Sequence, residues 1–387
     1  LKTYKNLWDT LISYENVLLA IKNSSKRKRD RESVQKILDD PDTFYPIIVE
    51  YAEAYEPKEH TAIIIFEPTT KKERKLYIPT YMELIIQHML IQAIMPVLMS
   101  QMYELSYASI PGRGQHKCAK KIKQWIKEDP RHVKYCVKMD IHHFFDSIDQ
   151  DILYEKLATK IKDAKVLRLI KAILGTIDHG LPLGFFTSQW FANFYMQDFD
   201  HWIKEVCGVT HYARFMDDMA LFDSNKYKLH NVLYNIQDYV KDNLHLELKH
   251  NYQLFRFDYI QNGVHYGRDL DFIGFRFFRD RTELRKSTML RFTRRAMTIN
   301  KNHRIRLIDA RAIESYMGNL NHCDIYYMVK GFVEPYVDIE LCHSKISEND
   351  KYKNFKKKLK NIKKDDPEFY NYIYELIHEN DLEYLEI

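Results

Sequence analysis

The 387-residue chain is predicted to be a mixed α+β protein, and three observations carry that prediction. Runs in which apolar and polar side chains alternate with a period of two are interleaved with stretches whose apolar residues recur every three or four positions. Glycine and proline are scarce, 11 of each, so few breaks interrupt those patterns. Hydrophobic residues make up 45% and charged residues 29%, enough for large cores and incompatible with disordered or collagen-like classes. By length the chain holds two or three subdomains.

Taken in order, residues 5–22 carry Leu7, Leu11, Val17, Leu18 and Ile21 at the spacing of one or two short amphipathic helices. Thr61–Pro79 reads as a β-hairpin with a basic tip: AIIIF, a polar turn with KKERK, then LYIP. A helix runs on to about Gln101. Its apolar window, Leu84–Met99, is interrupted by Gln87, His88, Gln92 and Pro96 and is shorter than the ~20 residues of a membrane span. It is read as a buried helix, with no membrane partner. After SYASIPGRGQ a helix is expected over Lys117–Glu128, closed by Pro130. Val133, Tyr135, Val137 and Met139 then alternate with Lys134, Cys136, Lys138 and Asp140, a strand that ends on an aspartate.

Helical stretches over 150–174 and 187–204 flank the turn Gly180-Leu-Pro-Leu-Gly184. HYARFM, Asp217-Asp218 and MALF form a second hairpin whose turn is built from carboxylates. A helix over 228–243 follows, and LHLELK with FRFDYIQNGVHYGRDLDFIGFRFF reads as further short strands. From Leu284 the pattern is helical and basic, with Arg285, Lys286, Arg291, Arg294 and Arg295. No internal repeat or low-complexity linker separates these regions, so they read as subdomains of a single body.

The net charge of +5 is too mild to prove a nucleic-acid partner, so its distribution matters more. Lys26–Arg31 reads KRKRDR, and Lys351–Lys364 holds eight lysines in fourteen residues, followed by eight acidic residues with no further Lys or Arg. Such runs fit solvated helix faces or phosphate-backbone contacts. The 28 tyrosines suit stacking on flat ligands and large cores alike. Five cysteines, odd in number and never spaced C-x-x-C, imply a reducing cytoplasm and core thiols; none has the spacing of zinc ligands. No signal peptide is visible, and a chain starting at Leu1 is read as having lost its initiator.

An Asp-Asp pair at a hairpin tip is ordinary turn chemistry by itself. Here a second strand ends at Asp140, and pairing the two elements would gather three mutually repelling carboxylates at one sheet edge. Such a cluster is tolerated chiefly around divalent cations, and hard oxygen ligands select Mg²⁺ or Mn²⁺ over Zn²⁺.

The segment RFMDDMALF, with Phe215-Met216-Asp217-Asp218, resembles the Asp-Asp hairpin of reverse transcriptases. VKMDIHHFFDSI (Val137–Ile148) resembles that family's first metal-binding segment and DFIGFRFF (Asp271–Phe278) its primer-grip region. IPTYMELIIQH and SYASIPGRGQHKC resemble the finger segments of bacterial, group II intron-like members. The resemblance covers about 60–335, with a thumb in SYMGNLNHCDIYYM. Intron-type enzymes carry Pro-Gln-Gly where this chain has Leu183-Gly184, and Leu-Gly-x-x-x-Ser188-Gln189 resembles the signature of diversity-generating retroelement enzymes. Antiphage defence relatives share much of this pattern. Two departures stand out: the usual Asp-Arg of the finger helix is Glu83-Leu84, and the late palm lysine is replaced by Asn251, with Lys249 near but out of register.

The resemblance implies a right-hand polymerase: an N-terminal helical region (1–58), fingers (59–132), palm with part of the fingers (133–283), thumb (284–345) and a basic then acidic extension (346–387). It implies RNA-directed DNA synthesis by two-metal nucleotidyl transfer onto a 3′-OH, with two Mg²⁺ ions or Mn²⁺ in their place. Asp140 and Asp217 would bridge both ions, Asp218 contributing less, and the Ile141 carbonyl would complete one coordination sphere. Phe145 would be the steric gate against a 2′-OH, although a core phenylalanine fits there too. Arg74, with Lys71 or Lys72, would clamp the triphosphate. Leu183, Gly184 and Gln189 would line the nascent pair, and Leu183 goes with error-prone copying opposite template adenine. Arg113 between two glycines, Met216 and the basic stretch 285–295 would contact nucleic acid, the last by tracking an RNA·DNA duplex along its backbone.

The implied partners are an RNA template or structured noncoding RNA, dNTPs and an accessory protein, in the cytoplasm of a bacterial or phage-infected cell. Two alternatives stay open: a defence enzyme making templated or template-independent DNA with a noncoding RNA, and a non-catalytic RNA-binding scaffold on the same fold.

Overall fold

A computed structural model of the chain describes residues 3–58, 60–66, 73–320, 322–324, 326–365 and 367. It contains two compact units, residues 1–273 with 277–280, and residues 274–276 with 281–387. The mixture of helix and strand matches the predicted α+β class.

In the first unit, α1 (Leu7–Ile12), α2 (Tyr14–Ser24), α3 (Glu32–Asp39) and α4 (Pro41–Glu53) precede the antiparallel hairpin β1 (Ala62–Phe66) and β2 (Glu73–Tyr77). Then follow α5 (Tyr81–Met99), α6 (Gln115–Glu128), β3 (Tyr135–Asp140), α7 (Phe144–Ser147), α8 (Gln150–Lys160), α9 (Ala164–Leu174), α10 (Phe186–Tyr195) and α11 (Gln197–Glu205). The hairpin β4 (His211–Phe215) and β5 (Asp218–Asp223) leads through α12 (Lys226–Leu244) to β6 (Gln253–Arg256), β7 (Tyr259–Gln261), β8 (Val264–Tyr266) and β9 (Leu270–Phe272). The chain passes between the units around β10 (Phe275–Phe277). The second unit then contains β11 (Thr282–Leu284), α13 (Lys286–Lys301), α14 (Leu307–Leu320), α15 (Tyr326–Phe332) and α16 (Ile339–Asp365).

A four-stranded antiparallel sheet in the order β4-β5-β3-β6 forms the centre of the first unit. Val137, Met139, Met219 and Leu221 share one face of it and are fully or nearly fully buried, as the period-two pattern requires. Helix α5 is apolar and long enough to cross a membrane by length and composition. Here it is a core helix: Ile85, Ile86, Met89, Leu90, Ile91 and Ile94 are buried, and it packs against α1, α2 and α10. Its first turn explains the departure at Glu83-Leu84. Glu83 closes a capping box with Thr80, accepting from the Thr80 N–H at 2.7 Å, and faces His60 Nε2 at 3.1 Å.

Several sequence boundaries are corrected. The stretch 150–174 is two helices, because Ile161 and Lys162 leave the helix to bridge Tyr4, with Tyr4 N–H on the Lys160 carbonyl at 2.8 Å and Lys162 N–H on the Tyr4 carbonyl at 2.8 Å. Asp163 then caps α9 and also accepts from the Trp8 N–H at 2.8 Å. The stretch 187–204 breaks at Met196 into α10 and α11. LHLELK is not a regular strand: it makes a single isolated antiparallel bridge, Leu248 to Ile141. The tip of the first hairpin, including Lys71 and Lys72, and the acidic tail from 368 lie outside the described residues.

Candidate active site

Antiparallel register brings the three aspartates together. β3 and β5 pair so that Asp140 stands directly opposite Asp218, which places the two side chains on one face of the sheet. Met216 and Asp217 form the two-residue turn between β4 and β5. Met216 has φ 62°, the left-handed region that hairpin turns of this length demand and that a bulky side chain adopts only under constraint. Its side chain is 8% exposed.

Burial, then the charges of Asp140 and Asp218, push the Asp217 carboxyl up to about 7. Asp140 is held differently. Its Oδ2 accepts from Lys249 Nζ, whereas its Oδ1 is buried with no hydrogen-bond partner among the described residues. Lys249, which is out of register in the sequence, arrives because 247–249 runs antiparallel to 140–142: Lys249 N–H donates to the Asp140 carbonyl at 2.9 Å and His142 N–H to the Glu247 carbonyl at 2.7 Å. In that pattern the N–H and C=O of Ile141 face the other way, toward the β5 side. Asn251 lines a cavity of about 100 Å³ with Lys138, Met139, Asp140, Asp218, Tyr252 and Gln253.

These donors fit a divalent cation. A buried carboxylate oxygen with no partner among the described residues, a carboxyl pushed up by burial and by its acidic neighbours, and a carbonyl facing the same edge are all hard oxygens, the set that Mg²⁺ or Mn²⁺ takes.

The turn at 180–184 is pinned on both sides of the site. Gly180 has φ 77°, and a Cβ there would lie 2.6 Å from the Phe145 carbonyl, which also accepts from the Leu181 N–H at 2.7 Å. Gly184 has φ 108°, and its Cβ would fall 2.2 Å from the Tyr77 carbonyl, while Tyr77 N–H donates to the Leu183 carbonyl at 2.7 Å. Phe145 on α7, Leu183, Gly184 and the β2 strand carrying Arg74 are thereby tied into one backbone network. Gln189 and Arg74 are exposed.

Arg113 is held by its own loop. Its Nη1 donates to the carbonyls of Tyr103 and, at 2.8 Å, Ser106, so the side chain braces its own loop, while Gly112 and Gly114 face open space. In the second unit Arg285 stands at the N-cap position of α13 without a capping hydrogen bond from its side chain, and Arg291 and Arg294 lie on the helix face opposite buried Met289, Phe292, Ala296 and Ile299. Lys286 is exposed, and Arg295 pairs with Asp309 at 3.3 Å. A separate group, Asp258, His265 and Asp280, also brings ligand atoms together, but Asp258 is engaged by His265 at 2.9 Å and the Arg279 N–H at 2.7 Å.

The sheet with its carboxylate hairpin defines a nucleotidyl-polymerase palm, a class rather than an individual. The family model described as reverse transcriptase (RNA-dependent DNA polymerase) matches residues 57–253, just over half of the chain. The chain belongs to the reverse transcriptase family and has its right-hand polymerase fold.

Among curated relatives it is similar to Protein YkfC of Escherichia coli (strain K12), 26% identical over 145 residues, 35% of this chain and 38% of that one. It is similar to the group II intron-encoded protein LtrA of Lactococcus lactis subsp. cremoris, 28% identical over 164 residues, covering 39% and 26%. It is also similar to the retron Ec73 reverse transcriptase of Escherichia coli, 27% identical over 166 residues, covering 40% and 50%. The chain thus spans between a quarter and half of the length of these relatives. Among solved structures, apo telomerase from Candida tropicalis aligns with a TM-score of 0.48 at 13% identity, covering 67% of this chain and 53% of that one.

Proposed function

We propose that the chain is an RNA-directed DNA polymerase of a bacterial or phage retroelement, extending a 3′-OH with dNTPs on an RNA template, in the cytoplasm. The observation that carries this reading is the carboxylate cluster, in which Asp140 opposes Asp218 and the Asp140 Oδ1 is buried without a hydrogen-bond partner among the described residues. An idle cluster of this kind would only cost stability, which argues against a non-catalytic scaffold.

Asp140, Asp217 and the Ile141 carbonyl would hold two Mg²⁺ ions, or Mn²⁺, with Asp218 beside them. Bound there, the ions supply activation of the attacking hydroxyl and stabilisation of the leaving phosphate oxygen. Phe145 walls the sugar site, and Arg74 with Lys72 orients the triphosphate. Leu183, Gly184 and Gln189 position the nascent pair, with Met216 and Arg113 beside the nucleic acid. Arg285, Lys286, Arg291, Arg294 and Arg295 attract the backbone of an RNA·DNA duplex without reading bases. In this reading fingers span 59–132, palm 133–283 and thumb 284–345, and an accessory protein with a structured RNA supplies the template. Leu183-Gly184 with Ser188-Gln189 supports a diversity-generating type of retroelement.

The test is nucleotide incorporation by Asp217→Asn on a defined RNA template and primer. Incorporation should vanish while fold and RNA binding persist, Asp140→Asn should match it, and Asp218→Asn should retain a trace. Wild-type incorporation by Asp217→Asn would sink the two-ion reading. Sequencing the product with and without co-purified RNA separates templated synthesis from template-independent synthesis of the defence type.

A further inference from the structure

Beneath the carboxylate turn lies a charged pair sealed from solvent. Asp200 on α11 and Arg214 on β4 each have side chains 0% exposed. The guanidinium forks onto the carboxylate, Nε to Oδ1 at 2.7 Å and Nη2 to Oδ2 at 2.6 Å. Tyr212, two residues earlier on the same face of β4, donates its hydroxyl to Asp200 Oδ1 at 2.7 Å.

The remaining guanidinium nitrogen reaches the active site. Arg214 Nη1 donates to the Met216 carbonyl at 3.0 Å and to Asn193 Oδ1 at 3.2 Å. Asn193 is fixed in turn, its amide donating to the carbonyls of Ala108 at 3.0 Å and Gln189 at 3.1 Å. Met216 is the residue held at φ 62°, and Asp217 follows it directly. A bulky residue keeps that conformation only where its surroundings enforce it.

Stability alone would not select this pair, because apolar groups of similar volume serve a core as well or better than a buried ion pair. What they cannot do is donate to the Met216 carbonyl. We infer that Arg214, oriented by Asp200, is a positioning residue that fixes the Met216-Asp217 turn and thereby holds the Asp217 carboxylate where a divalent cation needs it. The inference rests on the two-ion reading above. It assigns no contact with substrate to Arg214 or Asp200.

The test separates positioning from packing. The triple variant Asp200→Leu/Tyr212→Phe/Arg214→Met removes both charges and the hydroxyl that would lose its acceptor, at similar volume. Mn²⁺ binding to the full chain is followed by the electron paramagnetic resonance signal of the free ion, beside a thermal melt and steady-state dNTP incorporation. The expected result is a cooperative melt near that of the wild type, Mn²⁺ affinity about tenfold weaker and a fall in kcat with KM for dNTP little changed.

Wild-type Mn²⁺ affinity in the folded triple variant would overturn the inference. Should the triple variant not fold, Arg214→Lys decides: one ammonium keeps the charge but cannot reproduce a fork that spans Asp200 and Met216 together. Weakened Mn²⁺ binding by folded Arg214→Lys supports positioning, and unchanged binding refutes it. Asp217→Asn is the control. If the wild type binds no Mn²⁺ that Asp217→Asn removes, the two-ion reading itself fails; if it does and the Arg214 variants match it, only the positioning role fails.

Discussion

The ammonium of Lys249 sits on the Asp140 carboxylate, donating to Oδ2, while Oδ1 of the same group is buried without a partner among the described residues. A side chain that carries one positive charge thus occupies one edge of the proposed cation site, where entry of a divalent ion would compete with it.

Lys249→Met should therefore strengthen Mn²⁺ binding by about two- to fivefold, the range of a partly exposed ion pair, and lower the metal-free melting temperature. A titration of Mn²⁺ against the thermal melt checks this. Weaker or unchanged binding would show that Lys249 supports the ion rather than competing with it.

The raised Asp217 carboxyl makes a prediction about pH. Its value of about 7, against ~3.9 for a free aspartate, means that the metal-free fold favours the protonated form. That contribution to stability is fully present below about pH 4 and is lost as pH rises through about 7. Asp217→Asn stays neutral throughout, so in chelator its melting temperature should match the wild type only below about pH 4 and exceed it by a margin that grows to a few degrees by pH 8. A constant difference across that range would mean that Asp217 titrates normally.

Phe145 lies on α7, and its carbonyl anchors the Leu181 N–H, so truncating the ring leaves that backbone tie intact. Phe145→Ala should raise ribonucleotide use on the order of tenfold relative to dNTPs, while DNA synthesis persists. Competition between dATP and ATP measures it, and unchanged discrimination would make the ring mere packing.

Leu183 also contributes its carbonyl, not its side chain, to the Tyr77 contact, so Leu183→Gln keeps the turn in place. An aliphatic chain beside the nascent pair offers no hydrogen bond, and the loss of one polar contact is worth about 1 kcal/mol, or several-fold in errors. Leu183→Gln should reduce misincorporation opposite template adenine by that factor in sequenced cDNA. Equal adenine error rates would remove Leu183 from fidelity.

The sequence by itself determined the α+β class, the hairpin with Asp217 and Asp218 at its turn and the strand ending at Asp140. Each of these is local: a two-residue period, a turn composition, the end of an alternation. The helix break at 161–163 was not legible, because it answers to Tyr4 and Trp8, more than 150 residues away in the chain.

The partners of the polar residues belonged to tertiary structure alone. Lys249 looks misplaced along the chain, yet the 247–249 segment runs beside 140–142 and delivers its ammonium to Asp140. Arg113 is bonded to the carbonyls of Tyr103 and Ser106, and Arg214, which passes unnoticed in HYARF, donates to the Met216 carbonyl from below the turn. Only the inward phase that Arg214 shares with Tyr212 hinted at burial. Periodicity says which way a side chain faces, but what a buried charge pairs with depends on which distant elements the fold brings against it, and that is decided when the whole core closes.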